Sequence, residues 1–136
     1  MNTMQEEFDA VVAHLFKQGR PAKDSTSTVC LYRSEDGKLS CAVGCRIPDA
    51  VYDPQMDVPD RTTGGTVVRS LIERFRDVLP PEIPAYKSMF EALQNVHDSC
   101  LLTGDGSFDR IRLGNRLRDV AEEFKLTFTV PTPANG

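Results

Sequence analysis

At 136 residues, with 40% hydrophobic and 26% charged side chains, the chain is long enough to close one core and too mixed in composition to be disordered or fibrous. The 20 acidic against 16 basic residues leave a net charge of −4, which argues against a broad footprint for nucleic acid or anionic membrane. No apolar run approaches the roughly 20 residues that cross a bilayer, and Glu6, Glu7 and Asp9 stand where a secretory signal would be basic.

Thr3-Met-Gln-Glu6 has the form of a capping box, a hydroxyl that accepts an amide and a carboxylate that reaches back to the cap. Met4, Phe8, Val11, Val12, Leu15 and Phe16 then make one apolar stripe, which predicts a helix stopped by Gly19-Arg20-Pro21. His14 lies off that stripe and reads as solvated. After a polar loop to Thr28, the runs Val29 to Arg33 and Lys38 to Val43 predict paired strands about the turn Ser34-Glu-Asp-Gly37. The alternation of Leu39, Cys41 and Val43 turns Cys41 inward. Gly44-Cys45 suits a bulge or a close backbone approach. Ile47-Pro48 ends the sheet, Asp49 is placed to cap a short turn through Tyr52, and Pro54 to Gly65 is the longest irregular stretch.

Thr66 is the predicted cap of a second helix carrying Val67, Val68, Leu71, Ile72, Phe75, Val78 and Leu79, broken by Pro80-Pro81. Tyr86, Met89, Phe90, Leu93, Val96, His97 and Cys100 predict a third helix with His97 and Cys100 on its buried side. Thr103 to Ser107 reads as a turn and cap. A fourth helix buries Leu113, Leu117, Val120, Ala121 and Phe124, with Gly114 among them to permit close packing. Leu126-Thr-Phe-Thr-Val130 alternates as a last strand, and 131–136 reads as a flexible tail. The expected fold is therefore α+β: a single domain over 1–130, with a short antiparallel sheet made of a hairpin at 29–43 and the strand 126–130, covered by about four helices.

Four groupings invite chemistry. Cys41, Cys45, His97 and Cys100, with Cys30 across the hairpin, supply soft ligands for a tetrahedral zinc. A strand does not converge two thiols spaced Cys-x₃-Cys, so buried thiols are the expected state. A nucleophile pair of Cys41 or Cys45 with His97, oriented by Asp98, can be composed from the same residues, although a histidine on an apolar helix face is more often a core residue. Asp49, Asp53, Asp57 and Asp60 offer hard oxygens but lack the rhythm of a calcium loop. Thr62, Thr63, Gly64, Gly65 and Thr66 precede a helix and could cradle a phosphate with help from Arg69 or Arg61, without being a Walker loop. On the last helix Arg110, Arg112, Arg116 and Arg118 are nearly cancelled by Asp109, Asp119, Glu122 and Glu123, the pattern of a solvated face.

The run from Gly37 to Asp49, with its Cys41-Ala-Val-Gly-Cys45 and Ile47-Pro-Asp49, followed by Tyr52-Asp-Pro54, resembles a family of small proteins of tailed bacteriophages and prophages. The similarity extends to Leu93-Gln-Asn-Val-His-Asp98 and Ala121-Glu-Glu-Phe124. Arg46 departs from that family's pattern, which has an apolar residue there, with a bearing on local packing. The resemblance implies a phage gene expressed in the bacterial cytoplasm and carries no activity with it. The leading expectation is a non-enzymatic accessory protein, without a cofactor, that binds a host protein or a second copy of itself in host takeover or anti-defence. The alternatives are a binder of a small phosphate-bearing ligand at Thr62–Thr66 with Arg69, and a cysteine- or zinc-dependent enzyme at Cys41, Cys45 and His97.

Overall fold

A computed structural model of the chain describes residues 1–22, 31–34, 36–57, 68–99 and 102–131. Among the described residues there are five α-helices, α1 (Met4–Gln18), α2 (Val68–Phe75), α3 (Glu82–Ala85), α4 (Lys87–Ser99) and α5 (Arg110–Glu123), with short 3₁₀ turns at Gly44–Arg46 and Pro54–Asp57. α1 begins as its sequence requires. The Glu6 amide donates to Thr3 Oγ1 at 3.1 Å and the Thr3 amide to Glu6 Oε1 at 2.9 Å, closing both halves of the capping box. It ends at Gly19, whose φ of 66° lets its amide reach back to the Leu15 carbonyl.

α4 is the central element and packs against each of the other helices. Its buried residues Met89, Phe90, Leu93, Val96 and His97 recur at the spacing of one helical face. Against them lie Phe8, Val11, Leu15, Leu71, Ile72, Leu113 and Leu117. Full burial of each such side chain contributes about 1.5–3 kcal/mol, so the core is made by helix faces. α5 starts at Asp109, whose carboxylate accepts the Arg112 amide at 2.9 Å, and the cap therefore lies beyond the Thr103–Ser107 turn expected to supply it. Gly114 does not serve close packing: an added Cβ would meet nothing within 4 Å among the described residues.

The expected α+β sheet is not formed. Among the described residues there is no strand, only isolated antiparallel bridges at Arg33–Ser40 and Leu102–Phe108. The reason is where the backbone groups go. The turn at Gly37 (φ 75°) closes as the sequence predicts, with the Ser34 amide bonded to the Leu39 carbonyl. Beyond it, side chains take the places of a partner strand. Asp57 accepts the amides of Tyr32 and Arg33 at 2.7 and 3.3 Å. Gln18 accepts the Ser40 amide at 3.0 Å and donates to the Ser40 carbonyl at 2.9 Å, and Gln94 accepts the Val43 amide at 3.3 Å. The chain then tightens into a 3₁₀ turn at Gly44–Arg46 instead of continuing as a strand.

The stretch 126–130 repeats this arrangement. Gln5 on α1 donates to the Thr127 carbonyl at 3.0 Å and accepts the Thr127 amide at 2.9 Å, so a carboxamide stands where a neighbouring strand would. Phe128 packs edge-on to Phe8, ring centroids 6.4 Å apart, while Arg118 lies over its ring at 5.9 Å. The segment is a strap laid against α1 that a positive φ of 58° at Lys125 turns back from the end of α5.

Candidate functional site

The cysteine-bearing turn is anchored from several sides. Arg33 pairs with Asp49 at 2.7 Å, donates to the Ile47 carbonyl at 3.1 Å, and lies over the Tyr52 ring at 4.5 Å. Asp49 is thus an ion-pair partner and not the cap its position suggested; the turn after it closes through the Pro48 carbonyl. Arg46 forms a two-point pair with Glu7, Nε to Oε1 at 3.1 Å and a terminal nitrogen to Oε2 at 2.8 Å. Arg46 therefore carries an ion pair as well as packing.

The thiols serve this turn from inside. Cys41 is fully buried, and its sulfur accepts the Gly44 amide at 3.2 Å. Burial pushes its ionisation well above that of an ordinary thiol. Cys45 is half-buried and its thiol donates to the Ala42 carbonyl at 3.2 Å; burial pushes its pKa up to about 12. Both are free thiols, and burial favours their protonated form.

His97, with a wholly buried side chain, is occupied at both ring nitrogens. The Ala22 amide donates to Nε2 at 3.0 Å, so Nε2 is the unprotonated nitrogen and Nδ1–H donates to Asp98 Oδ1 at 2.8 Å. Its role is to hold the exit of α1 against α4. Among the described residues no group of three or more His, Cys, Asp or Glu side chains is arranged to hold a metal ion. Cys30 and Cys100 lie outside the described residues, as do Thr62, Thr63, Gly64, Gly65, Thr66, Arg61 and Asp60; Arg69 is exposed on the first turn of α2.

Of the acidic cluster, Asp57 is the residue the sequence undervalued. Besides the two amides it accepts the Tyr52 hydroxyl at 2.6 Å, joining three stretches of chain. On α5, Arg116 pairs with Asp119 at 3.6 Å, as a solvated face should. Arg110 instead lies over the Phe16 ring at 4.7 Å and donates to the Pro131 carbonyl.

Two grooves meet at His14. One, of about 370 Å³, is lined by His14, Arg33, Ser40, Cys45, Pro48 and Asp49. The other, of about 330 Å³, is lined by His14, Lys17, Gln18, Arg20, Lys38 and Leu39. No family model matches the chain, and no curated protein and no solved structure matches it either.

His14 is half-buried rather than solvated, and its Nε2–H donates to the Ser40 carbonyl at 2.8 Å. Burial lowers its pKa below the ordinary 6.5, outweighing that hydrogen bond, with smaller contributions from His97 and Lys17. Below pH 6.5 the unfolded chain binds a proton that the folded chain resists, so stability from this site is complete above 6.5 and is lost as the pH falls. Urea midpoints measured above and below that pH should show the loss, and His14→Gln, which still donates to Ser40 but does not titrate, should flatten it.

Proposed function

We propose that the protein is a phage-encoded accessory protein that acts in the host cytoplasm by non-covalent binding, and that its partner is a second copy of itself. The observation that carries this reading is the C-terminal strap. Only one of its edges is satisfied: Thr127 is bonded to Gln5, while the backbone amides and carbonyls of Phe128 and Val130 have no partner among the described residues. In an extended chain these alternate groups point away from α1, where another extended chain can pair with them.

The strap matches itself. Two antiparallel copies centred on Phe128 set Leu126 opposite Val130 and Thr127 opposite Thr129, the pairing that a two-fold axis requires. Apolar surface adjoins it. Val130 is 43% exposed and Ile111 is 78% exposed, and the bond from Arg110 to Pro131 brings the first turn of α5 to the same end of the molecule. The phage setting is supported by the resemblance carried by Gly37 to Asp49. No helix among the described residues is long and apolar enough to cross a membrane.

The test is oligomeric state by light scattering behind size exclusion. The wild-type chain should elute as a dimer. Val130→Pro, which removes an exposed edge amide, combined with Ile111→Asp, should give a monomer of unchanged helicity. A monomeric wild type, or a dimer indifferent to both substitutions, would sink the reading.

A further inference from the structure

The groove lined by Lys17, Arg20 and Lys38 has no role in the strap or in the cysteine-bearing turn. Two glycine turns and one side-chain bond bring its cations together. Gly19 (φ 66°) turns the chain out of α1 between Lys17 and Arg20, Gly37 (φ 75°) turns it immediately before Lys38, and the two-point bond from Gln18 to Ser40 ties these stretches to each other. The cations are therefore held on fixed backbone, the condition under which a charged site is preorganised.

Among the described residues none of the three makes an ion pair. Lys17 suits the negative end of α1, but Arg20 and Lys38 have no such reason to be there in a chain of net charge −4. Among the described residues Asp36 is an acid on which the charges of Lys38 and Arg20 act. The Ser34 hydroxyl first, then the Lys38 amide, hold its carboxyl below the usual range, and the charges of Lys38 and Arg20 add to this.

We propose that the two grooves meeting at His14 bind a small phosphate-bearing molecule, its phosphate held by Lys17, Arg20 and Lys38 and its uncharged body lying towards Cys45 and Pro48. Among the described residues Lys17, Arg20 and Lys38 stand against the carboxylate of Asp36, the Arg33–Asp49 pair in the second groove being balanced, and this surplus matches the dianion of a phosphate monoester, which carries roughly −1.5 to −2 at neutral pH, better than a single carboxylate. Each groove, at about 330 and 370 Å³, has the size of a small-ligand site. His14 spends Nε2–H on the Ser40 carbonyl, leaving Nδ1 to accept from a ligand hydroxyl. The site uses none of the residues Thr62–Thr66 and does not depend on self-association.

Amide chemical shifts of the full chain, titrated with inorganic phosphate, adenosine monophosphate and adenosine, test the proposal. Phosphate and the nucleotide should shift amides of residues 14–20 and 36–40 saturably, the nucleotide more tightly and with further shifts at 44–49, and adenosine alone should do nothing. Lys17→Gln with Lys38→Gln should weaken the nucleotide roughly tenfold while far-ultraviolet dichroism stays that of the wild type. Lys125→Gln, near the opposite end of α1, should not. Absence of saturation, shifts mapping elsewhere, or a double variant binding like wild type would overturn the site. A nucleotide no tighter than inorganic phosphate would overturn the place given to the body.

Discussion

Gly44→Ala should leave little folded protein. The chain passes so close to itself here that a Cβ on Gly44 would lie 1.8 Å from the Tyr32 carbonyl oxygen and 2.6 Å from its carbon. Both are backbone atoms, so no side-chain rotation relieves the clash. The same carbonyl accepts the Cys41 amide at 3.2 Å, and Asp57 grips the Tyr32 amide, so moving residue 32 breaks bonds on both of its sides. The cost should reach roughly 4 kcal/mol or more, the range reserved for backbone collisions and broken interior networks. Far-ultraviolet dichroism in a urea series would measure it. Gly114→Ala is the contrast, since it meets open space inside a helix and should raise stability by up to about 1 kcal/mol. A Gly44→Ala protein with a wild-type midpoint would show that the turn is not packed as described.

Arg46→Met comes next in expected effect. The Glu7 side chain is only 3% exposed and has two Arg46 contacts, with Asn2 donating to Oε2 at 2.9 Å as a third. Without the guanidinium a carboxylate is stranded in the interior, and loss of one partner of such a pair costs about 3–5 kcal/mol. Removing both charges should recover most of that, because the position needs pairing more than it needs charge. Glu7→Leu with Arg46→Met is therefore expected to be more stable than Arg46→Met alone. A double variant no better than the single one would mean that Arg46 acts through packing and not through Glu7.

What the sequence made legible was the local part of the fold. The capping box at Thr3, the stop at Gly19, the turn at Gly37 and the apolar faces of α1, α4 and α5 each follow from residues within a few positions of one another, and each is present. Cys41 is buried as expected, but not through alternation, since Ala42 and Gly44, which that pattern turned outward, are buried with it in a turn. The sheet was misread because alternation reports an extended chain without saying what pairs with it. Thr127 and Ser40 are held by glutamines 122 and 22 positions away, and glutamine on a helix carries no sequence sign that its carboxamide will meet a distant backbone. Asp57 was similarly masked by neighbouring acids that make ordinary turns. His14 looked solvated because the stripe on α1 leaves it out; a hydrogen bond to Ser40 draws it in.

The bond between Gln5 and Thr127 joins nearly the two ends of the chain, and Phe8 receives Phe128 beside it. During synthesis α1 emerges 122 positions ahead of the residues that fill its outer groove. A nascent chain that has not yet reached residue 126 would thus carry an open apolar slot along α1, a target for chaperones or proteases, until Phe128 emerges to close it.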